Sequence, residues 1–317
     1  MSSNFLGKIF PAARLVATFP YTLVFKTTHF CWYNCAHCCE NAGAHQPKLF
    51  MPADVIKNYL DAASNDSMFS REVVFTGGEI MSAYKFAEQG YVKDILNYAL
   101  DRNMSVNIKT NAAWTRAGFG NQIFDELADI AAAHKPHRLQ VSLSLDNFHQ
   151  NAVDNNARFI SEMASRKVPI GVHISGLKGK FHVAPDEVYA KVRARGIPLR
   201  EIALICDDGF MPCIMAGDKV VILTSQGELF QAGRAEKMDG ALHQETPEFT
   251  FLTRCNHVLM AFDNAGKVTL GEAARRKIST PWRTKNGTLR SIEDIRAELA
   301  MNTIWCELRN KLRMRGK

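Results

Sequence analysis

The chain has 317 residues, of which 46% are hydrophobic and 22% charged. That length and composition suit one large domain, or a domain with a smaller appendage, and exclude a long disordered chain. The excess of 39 Lys and Arg over 32 Asp and Glu, a net charge of +7, is too mild to mark a nucleic-acid binder by itself.

Lys8, Arg14 and prolines break up the stretch from Met1 to Pro20. No secretory signal is expected there, and no apolar run reaches membrane-span length. A cytoplasmic location is the expectation. In such a compartment the eight cysteines serve ligation or catalysis more readily than disulfides.

Tyr21 to Lys26 reads as the first strand, and Pro52 to Ser64 as a helix with proline near its first turn. Glu72 to Thr76 is a second strand, ending in Gly77-Gly78, and Tyr91 to Arg102 is helical. Val106 to Thr110, Leu139 to Leu145, Ile170 to Ser175 and Glu201 to Ile205 are the third to sixth strands. Helices over Asn121 to His134, Val153 to Arg166 and Pro185 to Arg195 separate them. This alternation predicts parallel strands joined by right-handed crossovers. Six strands fall short of a complete eight-stranded barrel. The expected fold is therefore α/β, a partial (β/α)6 TIM-like barrel with an open side.

The pattern changes after Cys206. Turn chemistry in Asp207-Asp208-Gly209 and Pro212 marks a boundary near 206–217. It divides a core, 1–207, from a smaller α+β extension, 208–317. Val220 to Ser225 with Glu228 to Gln231 reads as one hairpin, and Val258 to Phe262 with Lys267 to Leu270 as a second. A last helix starts at Ser291, with Asp294 in the acid position of a capping box. Met301, Trp305, Leu308 and Leu312 form an apolar face on it, expected to pack into the core. Arg309, Lys311, Arg313, Arg315 and Lys317 read as a solvated helix end. No internal repeat is present.

The sharpest signal is Cys31-Trp32-Tyr33-Asn34-Cys35-Ala36-His37-Cys38. Three thiolates on one short loop after a strand reach three corners of an iron–sulfur cluster, which normally takes four cysteines. The missing fourth ligand leaves a position open for a small molecule. The alternative is a zinc site completed by His29, His37 or Cys39. Cys39 has no assigned role, because the register from Cys35 to Cys39 meets Ala42 at its third position.

At these residues the sequence resembles the radical S-adenosylmethionine (radical SAM) superfamily. The resemblance covers roughly residues 20 to 207, the six-strand region. It implies a four-iron four-sulfur cluster on Cys31, Cys35 and Cys38, binding the amine and carboxylate of S-adenosylmethionine at the open iron. Thr76-Gly77-Gly78-Glu79 matches the family segment that contacts the methionyl amine. Glycines allow close backbone approach there. Lys109-Thr110-Asn111 stands where related proteins often have Thr-Asn-Gly, but Ala112 replaces the glycine. Ser142, Ser144 and Asp146 share a face of the fourth strand. The resemblance makes Ser144 and Asp146 candidates for holding the ribose and carboxylate. His149 and Asn151 follow in a loop that can face substrate.

The resemblance implies reductive cleavage of S-adenosylmethionine to a 5′-deoxyadenosyl radical that abstracts hydrogen from a small molecule or peptide. The electron would come from a donor such as flavodoxin or ferredoxin. About thirty residues precede the motif, too few for a separate leader-binding domain. This favours a small metabolite, or a peptide delivered by another protein. Cys255 and the segment Phe262 to Val268 look like the hairpin of a twitch- or SPASM-like auxiliary-cluster domain. The cysteine expected soon after it is absent, as Leu270-Gly271-Glu272 stands there, so an auxiliary cluster is not favoured. Cys306, beside Trp305, reads as packing, and one of Cys206, Cys213, Cys255 and Cys306 could instead donate a hydrogen atom or attack a substrate, the sequence selecting none of them. Three alternatives stay open: aminocarboxypropyl transfer, RNA modification, and a zinc-binding, non-enzymatic interaction protein.

Overall fold

The computed structural model describes residues 20–206, 209–227, 234, 253–254, 257–270 and 279–315. Strands β1 (Tyr21–Thr28), β2 (Phe69–Gly77), β3 (Ser105–Thr110), β4 (Leu139–Leu145) and β5 (Gly171–Leu177) lie side by side and parallel. Every residue of β1 is buried, as a parallel strand covered on both faces requires. Helices α1 (Ala53–Asn65), α2 (Ala83–Phe86), α3 (Tyr91–Asp101), α4 (Gly120–Ala133) and α5 (Ala152–Ser165) occupy the connections. Val55, Ile56, Tyr59, Leu60 and Ala63 form the buried stripe of α1.

After α6 (Pro185–Ala194) the chain departs from the expected order. β6 (Leu199–Cys206) forms, but it lies at the sheet edge and pairs antiparallel with β7 (Gly209–Ala216). The position beside β5 belongs to β8 (Val220–Gly227), which is parallel to β5 and antiparallel to β7. Burial gives the reason. Val220, Val221 and Ile222 of β8 are buried, whereas Arg200, Glu201 and Ala203 of β6 are exposed. An interior parallel strand must be apolar on both faces, and a charged strand suits an edge. The stretch expected to be a linker, 206–217, is mostly β7. Residues 228–231, the expected second arm of a hairpin with β8, lie outside the described residues.

On the other side, β10 (His257–Asp263) pairs parallel with β1, with Tyr21 opposite Val258 and Lys26 opposite Asp263. β11 (Lys267–Leu270) folds back on β10 as the expected hairpin, followed by β12 (Ser279–Pro281). The short β9 (Thr253–Arg254) pairs with β10. Seven parallel strands thus run β10-β1-β2-β3-β4-β5-β8 within one 12-stranded, unclosed sheet. This is an α/β partial barrel.

The last helix, α7 (Ile292–Arg315), is capped by Ser291, whose Oγ accepts the Asp294 amide at 3.1 Å. Its packed face differs from the expected one. Ile292, Ile295, Leu299 and Thr303 are buried, while Met301 and Trp305 are exposed. The side chains of Leu308, Leu312, Cys206, Cys306 and the C-terminal basic residues lie outside the described set, as does Cys255. Cys213 is buried, and its thiol donates to the Met211 carbonyl. No described helix is long and apolar enough to cross a membrane.

Side-chain alternation divides the barrel into two interiors. Tyr21, Leu23, Phe25, Val73 and Phe75 face the helices in the main core. Val24, Val74, Leu259 and Ala261 form a small separate cluster on the opposite, concave face. Above that plug, toward the carboxyl ends of the strands, the same face turns polar.

The C-terminal segment is tied to α1 by Tyr59, whose hydroxyl reaches the carbonyls of Trp282 and Arg290 at 2.9 and 3.0 Å. Tyr59→Phe leaves these carbonyls without that donor. It is expected to cost about 1–3 kcal/mol, measured by urea unfolding, and an unchanged midpoint would contradict the assignment.

Candidate active site

The polar part of the concave face is a cavity of about 260 Å³ over the carboxyl ends of β1 to β4. Period-2 alternation delivers its walls. Lys26 follows Val24, Thr76 follows Val74, Lys109 follows Asn107 and Ser144 follows Ser142. Asn107 and Ser142 are bonded to each other at 2.9 Å just below. Cys31, Cys35 and Cys38 line the cavity, together with Cys39, Gly77 and Gly78.

The cysteine loop is placed by the strand ends beneath it. Gly78 donates its amide to Thr28 O at 2.6 Å, and Glu79 donates to Phe30 O at 2.8 Å. A Cβ on Gly77, which has φ of 123°, would sit 2.3 Å from Thr28 O, and one on Gly78 would sit 2.0 Å from Phe30 O. Both glycines are therefore required by the backbone of β1 and its loop. The close approach inferred from the motif exists, but the partner is protein. Across the loop, Cys31 N donates to Gly43 O and Gly43 N to His29 O, closing residues 31–43 into a compact lobe.

Glu79 is fully buried and turned into the protein. Its carboxylate accepts from Thr110 Oγ1 at 2.8 and 2.9 Å, from Asn111 N at 3.0 Å and from Met81 N at 3.1 Å. Burial pushes its carboxyl up to about 7, against the pull of these donors. The Thr110 hydroxyl in turn accepts from Ala112 N and Trp114 Nε1. Asn111 donates its side-chain amide to Cys31 Sγ at 3.3 Å. Glu79 thus positions Thr110 and Asn111, and Asn111 touches the sulfur.

Ser144 and Asp146 separate in role. Ser144 lines the cavity, whereas Asp146 is buried behind His149. Asp146 Oδ1 accepts from the amides of Phe148 and His149 at 2.9 and 3.2 Å, and its carboxylate sits 2.9 Å from His149 Nδ1. Burial works against charge on His149, but its hydrogen bonds to Asp146 and Cys35 push it up to about 10. His37 stacks on Phe148 at 4.3 Å and is pushed down to about 4 by burial. Asn151 caps α5 in the left-handed region and is exposed.

Two of the three sulfurs have an N–H donor, Asn111 Nδ2 to Cys31 and Ala42 N to Cys38, each at 3.3 Å, while Cys35 Sγ lies 3.7 Å from Phe148 O. Such donors suit sulfurs that carry negative charge. Burial first, then the Glu79 carboxylate, pushes the Cys31 thiol up to about 12, and burial raises Cys38. Buried thiols such as Cys31 and Cys38 ionise readily only with a cation beside them. The donor set therefore fits a metal centre. Among the described residues, the ligand atoms that all lie within 4.8 Å of one another are those of His37, Asp146 and His149. The three sulfurs share one cavity without forming so tight a group.

Two residues escaped the sequence reading. Arg234 lines the cavity and donates to the cysteine loop, and a lone arginine far downstream carries no motif. Lys26 is buried on β1 and paired with Glu40 at 2.7 Å. Its charge within an apolar strand was the available signal.

Residues 25–167 match the family model of the radical SAM superfamily. This segment is a radical SAM domain. It holds the three cysteines, the Gly77-Gly78 end of β2, and Ser144. Among solved structures, SuiB from Streptococcus suis with S-adenosylmethionine bound is 14% identical, with a TM-score of 0.41 over 79% of this chain and 60% of that one. Native anSMEcpe with bound AdoMet is 11% identical, with a TM-score of 0.49 over 88% of this chain and 80% of that one. The chain thus spans 60% of the length of SuiB. No curated protein sequence matches it.

Two predictions concern the radical SAM domain itself. Ala112 sits at φ 56°, ψ 15°, the left-handed conformation that glycine tolerates best. Ala112→Gly should be close to neutral, as relief of about 1 kcal/mol of strain offsets a buried methyl worth about 0.8 kcal/mol. Ala112→Val should cost more than about 2 kcal/mol. Equal urea midpoints for the two variants would refute this reading.

Glu79 has a folded value raised from 4.5 to about 7. Its stabilising contribution is therefore complete below the unfolded value and is lost as pH rises through the folded one. Glu79→Gln puts an amide donor among fixed donors and should destabilise by about 2–4 kcal/mol at pH 5. The gap to wild type should narrow between pH 5 and 8. A gap that widens with pH would show that Glu79 is held as a stabilised anion.

Proposed function

We propose that the protein is a radical SAM enzyme acting on a small molecule or a peptide. One observation carries the reading: three cysteines of a C-x3-C-x2-C loop meet in one cavity against the glycine end of β2, with N–H donors on the Cys31 and Cys38 sulfurs. A four-iron four-sulfur cluster on Cys31, Cys35 and Cys38 would supply the electron that cleaves S-adenosylmethionine to a hydrogen-abstracting 5′-deoxyadenosyl radical.

The chain's own residues supply position and shelter. Asn111 and the Ala42 amide orient the Cys31 and Cys38 sulfurs. Gly77, Gly78, Lys109 and Ser144 form the wall where a polar, charged cofactor would lie. Glu79 keeps the β3 end rigid beneath it. The plug of Val24, Val74, Leu259 and Ala261 closes the floor, which keeps water from a reactive intermediate. Reducing equivalents would come from a flavodoxin or ferredoxin.

Protein reconstituted without oxygen should be brown, contain iron and sulfide, and cleave S-adenosylmethionine under a strong reductant. Replacing Cys31, Cys35 or Cys38 by Ala should remove colour and iron and lower cleavage by more than about 100-fold. Methionine with 5′-deoxyadenosine among the products marks hydrogen abstraction, whereas 5′-methylthioadenosine marks aminocarboxypropyl transfer. A colourless protein that retains zinc would falsify the proposal.

A further inference from the structure

The two halves of the cysteine loop are held differently. The first half is fastened by strand-like pairing, through Cys31 N to Gly43 O, Gly43 N to His29 O, and the Tyr33 hydroxyl on Gln150 O. The second half, Cys35 to Ala42, has only long backbone bonds within its own turns, Cys38 N to Cys35 O at 3.2 Å and Asn41 N to Cys38 O at 3.4 Å, and is otherwise tied by the Lys26–Glu40 pair, by Gln46 Nε2 on Asn41 O and by the His37 stack on Phe148. Asn41 is in the left-handed region, at φ 53°. Short turns of this kind do not hold one geometry alone.

Arg234 adds the restraint on the backbone carbonyls of this half, from four nitrogen atoms. Its amide donates to Cys38 O at 3.0 Å and Nε to Cys35 O at 2.8 Å. Nη2 donates to Ala42 O at 2.6 Å and Nη1 to Asn41 Oδ1 at 3.3 Å. The acceptors include the carbonyls of two proposed ligands, Cys35 and Cys38. The third, Cys31, is already fixed at the end of β1. A planar guanidinium spans such a set of acceptors as a rigid fork, which an ammonium cannot do.

We propose that Arg234 is the positioning residue of the cysteine loop, a clasp that sets Cys35 and Cys38 relative to Cys31 before the metal centre is inserted. The role toward the centre rests on the reading of these cysteines as cluster ligands; the role toward the loop does not. The order of the loop then depends on a residue nearly the whole core away in sequence, so cluster assembly awaits folding of the downstream chain.

The test uses the full-length protein. Amide hydrogen exchange is measured on metal-free wild type, Arg234→Lys and Arg234→Ala. The amides of Cys38, Asn41 and Ala42 should exchange at least about tenfold faster in both variants, with the amides of β1 to β5 unchanged. After anaerobic reconstitution, an iron chelator should strip both variants at least about fivefold faster than wild type. The reduced-cluster electron paramagnetic resonance signal should also be altered. Loop amides that keep wild-type rates in both variants overturn the clasp, as does equal acceleration of every amide in both. If wild type takes up no iron while the loop amides respond as expected, the clasp stands and the cluster reading fails.

Discussion

The end of β2 presses against the start of the cysteine loop so closely that no side chain fits between them. A Cβ at Gly78 would sit 2.0 Å from Phe30 O, well inside contact distance. The rest of the site depends on this approach. It brings the Glu79 amide onto Phe30 O, turns the Glu79 carboxylate toward the end of β3, and sets Asn111 against the Cys31 sulfur. The glycines thus help decide where the first cysteine stands.

Charge is distributed around that geometry with opposite signs on opposite sides. Glu79 lies beneath Cys31 and opposes its ionisation, while Arg234 lies beside Cys38 and favours it. His149, held by Asp146, faces Cys35. Lys26 and Glu40 neutralise each other at the β1 wall. The buried carboxylates of the site are thus each paired or hydrogen-bonded. Buried charges survive only when paired or bonded in this way.

Much of this was legible because it is local. The spacing of Cys31, Cys35 and Cys38 fits one loop, Gly77-Gly78 ends a strand, and Ser144 shares a face with Ser142 by alternation. The motif also pointed to Ala112 as the odd residue of Thr-Asn-Gly, and it occupies the left-handed position that glycine would favour. Less legible was the direction of side chains at the ends of elements. Glu79 and Asp146 turned inward to collect amide donors, which the pattern of residues does not reveal. Met301 and Trp305 have helical spacing, yet the face that packs is that of Ile292, Ile295 and Leu299.

The sequence by itself determined the elements, their parallel alternation from β1 to β5 and the grouping of three cysteines on one loop, because period, turn residues and ligand spacing act over a few neighbouring positions. Tertiary structure alone decided that β8 rather than β6 lies beside β5, that β10 joins β1, and that Arg234 reaches the loop. Those choices set strands and side chains far apart in the chain against one another. They turn on which partner buries more apolar surface and leaves fewer polar groups unpaired, a comparison that exists only once the whole chain is folded.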